Sequence, residues 1–239
     1  MTLVEFDFTS ATSKKNIQTL TTVDTNRLDT RFNDGKVDTA GRFWGGTMGP
    51  EIDNKVIINR GSLYKIDNRL LTTKIISPVS ISNGIAWNID DSKFYYIDSP
   101  TRKIISYNYY SLDGNITSPS VVFDFDEFNL TGVPDGMTID TDDNLWVANH
   151  GGGCVLNIDP RERRILKIVQ IPASRVTSLT FGGRLLDTLF VTTASLNTKQ
   201  GNSMEPYAGR VFSVKGLGVR GLVPNKFKLN ILNFKKDNN

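Results

Sequence analysis

The stretch "RFNDGKVDTAGRFWGGTM", residues 31–48, shows the pattern that decides the fold. A polar residue and a glycine come first, followed by a short apolar strand, a polar turn and an aromatic strand. The same order of features recurs in "SNGIAWNIDDSKFYYID", in "PDGMTIDTDDNLWVANH" and in "TSLTFGGRLLDTLFVTT". The second-strand aromatic residues lie 51, 51 and 44 residues apart; they are Trp44, Tyr95, Trp146 and Phe190. One structural unit is therefore repeated along the chain.

Further apolar runs lie between the copies and supply an outer strand for the unit. Examples are "RLLTTKIIS" at residues 69–77 and "RILKIVQIP" at residues 164–172. Four antiparallel strands that repeat about every 40–50 residues are typical of a β-propeller blade. No helical period of comparable length competes with this pattern. We therefore predict an all-β protein, and a β-propeller in preference to a sandwich.

The chain begins in the middle of this pattern. "TLVEFDF", residues 2–8, aligns with the third strands of later units, and "NIQTLTTVD", residues 16–24, would be the outer strand of that copy. We therefore count about four and a half blades, which either close by sharing a blade between the termini or belong to an amino-terminally shortened propeller. We assign residues 1–224 to the propeller domain and residues 225–239 to a tail. Phe227, Leu229 and Ile231 alternate in that tail, so it could form a strand that covers an open edge.

The composition indicates which kinds of partner the protein does not bind and in which compartment it works. The net charge is +3, from 28 basic and 25 acidic residues that are too scattered for a nucleic-acid surface. No apolar run reaches the roughly 18 residues that a membrane span needs, so we predict no membrane association. The start "MTLVEFDFTS" lacks the features of a signal peptide. The single cysteine, Cys154, suits a reducing compartment, and we predict a cytoplasmic protein.

His150 is the single histidine, which excludes metal sites built from several histidines. We interpret His150 as a loop residue, with a general-base role as the alternative. Cys154 opens a strand, and we expect it to be buried.

Three polar residues occupy the same position in successive repeats, each before a glycine: Asp34, Asn83 and Asp135. They precede the innermost strands, which line the central channel of a propeller, so we expect the three side chains to converge. The glycines would let the backbone turn tightly into the channel. Two carboxylates and an amide are oxygen ligands that suit Ca²⁺, Mg²⁺ or Mn²⁺, and Zn²⁺ also accepts carboxylate oxygen. The alternative is that each side chain caps its own strand by local hydrogen bonds.

Several strings resemble the family of regucalcin (senescence marker protein), the gluconolactonases and the luciferin-regenerating enzymes. They are "RFNDGKVDTAGRFWGGTM", "ISNGIAW", "FYYIDS", "VPDGMTID", "LWVANHGGG" and "GLGVRGLVP", and the resemblance covers residues 2–224. It implies a six-bladed propeller with one divalent cation at the channel mouth and hydrolysis of sugar lactones.

The resemblance also implies roles for single residues. Asn83 and Asp135 match metal ligands, and Asp135 matches the catalytic base. Arg31, Asn33 and Glu51 match positions that bind the substrate. The family's third protein ligand, a Glu in a "GE-x-P" stretch, does not occur in this sequence, and we expect a blade and a half to be missing at the amino end.

The leading hypothesis is therefore a hydrolase that acts on a small sugar lactone with one divalent cation (Ca²⁺, Zn²⁺, Mn²⁺ or Mg²⁺). The alternatives are a non-catalytic calcium-binding regulator and an inactive shortened isoform. We expect a monomer or weak self-association.

Overall fold

The computed structural model describes residues 1–4, 17–53, 55–195 and 205–230. Within them the chain forms a short amino-terminal strand pair followed by four antiparallel sheets, which we name blades A to D in chain order. The strand pair is β1 (Thr2–Val4) with β2 (Ile17–Thr19). Blade A contains β3 (Arg31–Val37), β4 (Phe43–Met48), β7 (Gly61–Ile66) and β8 (Thr72–Val79), and a hairpin of β5 (Glu51–Ile52) and β6 (Lys55–Val56) extends from it.

The other three blades follow the same strand order. Blade B contains β9 (Ser82–Trp87), β10 (Lys93–Asp98), β11 (Lys103–Tyr110) and β12 (Asn115–Asp124), with a 3-10 turn at Ser99–Thr101. Blade C contains β13 (Val133–Ile139), β14 (Leu145–His150), β15 (Cys154–Asp159) and β16 (Arg164–Gln170). Blade D contains β17 (Val176–Gly182), β18 (Thr188–Thr193) and β19 (Val211–Val214).

The β-propeller prediction is confirmed. In every blade the first strand is innermost, and β3 packs against β9, β9 against β13, and β13 against β17. The repeated aromatic residues lie in the second strands as predicted, and Trp44 and Trp146 are fully buried between blades. Four blades and an amino-terminal strand pair are present, and blade D has three strands in the described part of the chain.

Two buried aspartates connect the turn between the first and second strands to the core of their blade. Asp38 Oδ2 accepts hydrogen bonds from Arg42 Nε at 2.6 Å and from Trp44 Nε1 at 3.0 Å. In blade C, Asp140 Oδ2 accepts one from Trp146 Nε1 at 2.8 Å. Asp38 and Arg42 thus form a buried ion pair.

The segment of residues 220–230, which we call the strap, joins blade D to blade A below the channel. It is held near blades C and D by Thr141 N, which donates to Arg220 O at 2.9 Å, and by Gly221 N. At blade A, Asn225 Nδ2 donates to Val37 O at 3.2 Å. The strap contains no strand in residues 222–230, so the predicted edge strand is not seen there. Ile231 lies outside the described residues.

The carboxylate of Asp24 holds the segment that precedes blade A against that blade. Asp24 is buried and accepts hydrogen bonds from Thr30 Oγ1, from Thr47 Oγ1 and from the Tyr64 hydroxyl. The amino-terminal strand prediction is confirmed for Thr2–Val4 and Ile17–Thr19, while residues 5–16 lie outside the described part.

No helix among the described residues is long and apolar enough to cross a membrane. The 3-10 turn Ser99–Thr101 is the helical element seen there.

Candidate active site

The first strand of each blade has a shift of register near its amino-terminal end, which we call the upper end. The residues at these shifts form the candidate site. The strand register shifts between Phe32 and Gly35 in β3 and between Pro134 and Met137 in β13, and β9 and β17 are shifted at the corresponding places. Such bulges bend a strand and change the direction of a side chain. Asp34, Asn83 and Asp135 lie at these bulges, within the inner strands and not before them as the sequence pattern suggests.

The glycines that follow these residues allow close packing near the channel axis. A Cβ on Gly84 would lie 2.6 Å from Met137 Cβ, and one on Gly136 would lie 2.5 Å from Ser178 Oγ. Neither glycine has a positive φ. The prediction of a tight backbone turn is therefore wrong for them, and their role is to let neighbouring blades approach each other.

A cavity of about 870 Å³ opens at this end of the channel, and we call it the upper cavity. Its walls contain all the residues that the sequence analysis assigned to the site. They are Arg31, Asn33, Asp34, Glu51, Asn83 and Asp135. The convergence predicted from the repeat is confirmed.

Asp135 is the most perturbed acid of the site. Burial, together with the negative charge of Asp34, raises the pKa of Asp135 to about 7, although the Gly136 amide and the Asn83 side chain act in the opposite direction. Burial also raises the pKa of Asp34, against the effects of the Gly35 amide and the Lys36 charge. A carboxyl group with such a pKa can exchange a proton at neutral pH.

A chain of hydrogen bonds fixes Asn83. Its Nδ2 donates to Ser99 Oγ at 2.8 Å, and Ser99 Oγ donates to Pro134 O at 2.7 Å. Asn83 is only 6% exposed. The amide is therefore held rigidly between β9 and β13, beside Asp135.

The predicted substrate-binding residues lie nearer the mouth. Asn33 Nδ2 donates to Ser82 O at 2.9 Å, and Arg31 Nη1 donates to Asn33 Oδ1 at 3.2 Å. Both side chains are exposed, as is Glu51 on the β5–β6 hairpin. Exposed polar groups around an open cavity suit recognition of a polar solute.

Blade D contributes residues that the sequence analysis did not select: Arg175, Thr177 and Ser178. Thr177 occupies the position in β17 that Asp34, Asn83 and Asp135 occupy in the other inner strands, and the fourth repeat could have indicated this. The signal was weak because Ser178 stands where the other repeats have glycine.

His150 also lines the upper cavity. It is the last residue of β14, so the loop interpretation is wrong. Burial and the nearby Arg175 charge lower the pKa of His150, which favours the neutral imidazole. Cys154 is buried as predicted, and burial raises the pKa of its thiol.

The oxygen atoms that line the upper cavity are of the chemical type that binds hard divalent cations. Asp34, Asn83 and Asp135 offer carboxylate and amide oxygens, and a cation would relieve the repulsion between the two carboxylates. The number of ligands is small, since no group of three or more His, Cys, Asp or Glu that could hold a metal occurs in the described part of the chain.

The fold and this cavity together define a β-propeller protein with a polar site at one end of its channel. Residues 3–195 match the family model described as "SMP-30/Gluconolactonase/LRE-like region". The chain belongs to this family, and the resemblance stated from the sequence is confirmed.

Individual relatives agree with this assignment. The regucalcin of Gallus gallus is 38% identical over 213 residues, which are 88% of this chain and 71% of that protein. An uncharacterised protein of Sulfolobus acidocaldarius is 47% identical over 165 residues, 69% of this chain and 58% of that protein. The structure of a luciferin-regenerating enzyme superposes with a TM-score of 0.83 at 36% identity, covering 90% of this chain and 70% of the enzyme. The chain thus spans roughly three fifths to seven tenths of the length of these relatives.

Proposed function

We propose that this protein hydrolyses sugar lactones in the upper cavity with the help of one divalent cation. The observation that carries the proposal is Asp135, a half-buried carboxyl beside Asp34 and Asn83 whose pKa is raised to about 7. The family description includes the gluconolactonases, and the structure of a regucalcin from Agrobacterium tumefaciens carries the description "calcium-binding protein". Both properties are transferred here as proposals.

The proposed chemistry gives each residue a task, and it gives Asp135 two. Asn83 and Asp135 would hold the cation, which would polarise the ester carbonyl of the lactone. Asp135 accepts the proton of the attacking water, the new C–O bond forms at the carbonyl carbon, and the ring C–O bond breaks. Asp135 returns this proton to the released ring oxygen, so the product is a hydroxy acid and the carboxylate of Asp135 is restored. Arg31, Asn33 and Glu51 orient the sugar hydroxyls.

The test is the rate of gluconolactone hydrolysis with and without added Ca²⁺, Zn²⁺, Mn²⁺ or Mg²⁺. The informative variant is Asp135→Asn, which keeps the size of the side chain and removes the base. We expect it to lower kcat about 10²- to 10⁴-fold. Asp142→Asn is the matched control, because Asp142 is an exposed turn residue of the same blade and should leave the rate unchanged.

Equal rates for Asp135→Asn and the parent chain would contradict the proposal. Binding of Ca²⁺ by calorimetry without hydrolysis of any lactone would favour the calcium-binding regulator over the enzyme.

A further inference from the structure

The wall of the upper cavity that belongs to blade D has no task in the proposed hydrolysis. Arg175, Thr177 and Ser178 line the cavity there, beside His150 of blade C. The residues that would orient the sugar hydroxyls come instead from blade A and its hairpin. The inner strands pack in a row, and blades A and D are the two ends of that row. The blade D wall is therefore available to another part of the substrate.

Arg175 is a cation without a counter-charge in direct contact. Five other arginines form ion pairs with aspartates; they are Arg42, Arg60, Arg69, Arg102 and Arg161. The side chain of Arg175 makes no ion pair and no hydrogen bond in the part of the chain that the structure describes. Arg175 is half-buried, and its guanidinium stays charged at neutral pH. An anion that enters the cavity would supply the missing partner.

Two electrostatic effects show where the Arg175 charge lies. Burial lowers the pKa of His150, and the Arg175 charge lowers it further. Hydrogen bonds from Ser174 lower the pKa of Glu205, and the Arg175 charge adds to that effect. The guanidinium is thus close to the imidazole on the cavity wall and to the Glu205 carboxylate. Its five N–H groups leave donors for a ligand in addition to Glu205.

Strand pairing sets the distance between Arg175 and the reacting centre. Val133 of β13 pairs with His150 of β14, and His150 forms a bridge with Arg175. Neighbouring strands lie about 4.8 Å apart, so the backbone of Arg175 is roughly 10 Å to the side of β13, which carries Asp135. All four residues line the upper cavity. The guanidinium can therefore reach the end of a six-carbon lactone that is remote from a carbonyl group held at Asp135.

The charges around the cavity accept a negative substrate once the proposed cation is bound. The lining contains three acids and two arginines; they are Asp34, Glu51, Asp135, Arg31 and Arg175. Without a metal the acids outnumber the arginines and would repel an anion. A divalent cation at the proposed site would reverse this balance.

We propose that Arg175 binds a carboxylate or phosphate group of the substrate, and that the preferred substrates are acidic sugar lactones with this group at the end remote from the ester. A guanidinium forms two parallel hydrogen bonds with either group, since both offer a pair of oxygen atoms at a suitable spacing. The substrate class assigned here rests on the lactone hydrolysis proposed above.

The experiment compares lactones that differ at the terminal carbon. The lactones of D-glucaric acid and D-gluconic acid, taken with the same ring size, differ by a carboxylate in place of a hydroxymethyl group. The lactone of gluconic acid phosphorylated on its terminal hydroxyl tests the phosphate. We expect kcat/KM of the parent chain to be about 10- to 100-fold higher for an acidic lactone than for the neutral one. The acidic lactone with the higher kcat/KM identifies the anion.

Arg175→Gln keeps much of the length of the side chain and removes its charge. It should lower kcat/KM for the acidic lactone about 10- to 100-fold and leave kcat/KM for the neutral lactone unchanged. A merely structural role of Arg175 would lower both values equally. Arg184→Gln is the matched control, because Arg184 is an exposed arginine of blade D that does not line the upper cavity.

Two results would overturn the role of Arg175 while lactone hydrolysis stands. They are equal kcat/KM for acidic and neutral lactones in the parent chain, and equal losses for both lactones in Arg175→Gln. The comparison within the parent chain needs no variant, so it decides even if Arg175→Gln does not fold.

A parent chain that hydrolyses no lactone would overturn the proposed function instead, and binding then decides the role of Arg175. Calorimetric titrations with D-glucarate and D-gluconate are made with the cation in excess, each against a blank without protein. The parent chain should bind D-glucarate more tightly, and Arg175→Gln should lose the difference. Equal affinities of the parent chain for the two acids would refute the anion site.

Discussion

At the scale of single residues, the negative charge of Asp34 contributes to the raised pKa of Asp135. Burial is the larger cause of the raised pKa of Asp135, and the Asp34 carboxylate adds to it. Asp34→Asn removes that charge with little change of shape, so the pKa of Asp135 should fall. A base must be deprotonated to act, and the acidic limb of the pH profile of kcat/KM should therefore move to lower pH.

A shift of that limb to higher pH, or an unchanged limb, would contradict this prediction. Asp142→Asn, which is remote from the upper cavity, serves as its control.

Arg31 and Asn83 should respond differently to truncation. Arg31 is exposed at the cavity mouth, while Asn83 is buried beside Asp135. Arg31→Ala should raise KM or lower kcat about tenfold or more and leave cation affinity unchanged, since it removes a positioning group. Asn83→Ala should reduce cation affinity first. Calorimetric titration with the cation measures the difference, and equal losses in the two variants would refute the division of roles.

At the scale of elements, Arg42 in the turn between β3 and β4 connects blade A to blade B by hydrogen bonds and forms an ion pair within its own turn. Arg42 Nη2 donates to the Tyr109 hydroxyl at 2.8 Å and to Ser111 O at 2.6 Å, while Arg42 Nε is paired with Asp38. Asp38→Asn would leave the buried Arg42 without its counter-charge. We expect a loss of about 2–4 kcal/mol in the free energy of unfolding.

Asp140→Asn is the comparison for that prediction. Asp140 has an equivalent place in blade C, but Asn144 stands where blade A has Arg42. Removing the charge of Asp140 leaves no buried cation without a counter-charge. The free energy of unfolding should therefore fall by less than about 1.5 kcal/mol. Urea unfolding of both variants gives the answer, and equal losses would show that the ion pair is not the cause.

The site residues of the inner strands could be predicted from the sequence, because a repeat places equivalent residues at equivalent points of each blade. This argument located Asp34, Asn83 and Asp135, and the family resemblance added Arg31, Asn33 and Glu51. The bulges could not be read from the sequence, since they depend on the register between neighbouring strands. Thr177 was not predicted, because its repeat has Ser178 where the other repeats have a glycine.

At the scale of the whole molecule, the path of the strap could not be predicted from the sequence. Trp87, Asp91 and residues 222–225 meet only in the folded chain, and no local pattern links them. The alternating residues of the tail suggested a strand, but hydrogen bonds to the turns of blade A hold the backbone in another path.

The two acids of the upper cavity should make the stability of the metal-free protein depend on pH. Their pKa values are raised in the folded state, that of Asp135 to about 7, so the unfolded chain binds fewer protons from about pH 4 to pH 7. The free energy of unfolding should therefore fall as the pH rises through this range. We expect a loss of about 1–3 kcal/mol between pH 5 and pH 7.5, reduced from the full value because the site is partly open to water.

Urea unfolding in the presence of a chelator measures this loss, and Asp135→Asn should remove most of it. The lowered pKa of His150 acts in the opposite direction, and the difference between parent and variant cancels that contribution. A divalent cation should restore stability more strongly at pH 7.5 than at pH 5. A parent chain that becomes more stable over this range relative to Asp135→Asn would contradict the assignment.

The strap also sets the order in which the molecule can be completed during synthesis. Asn225 forms a hydrogen bond with Val37 across 188 residues of sequence, so this contact forms only after blade D has been synthesised. Blades A, B and C can assemble from neighbouring segments as the chain emerges. Until the strap arrives, Trp87 and the lower ends of the inner strands face water, and the nascent chain exposes an apolar opening that the finished protein covers.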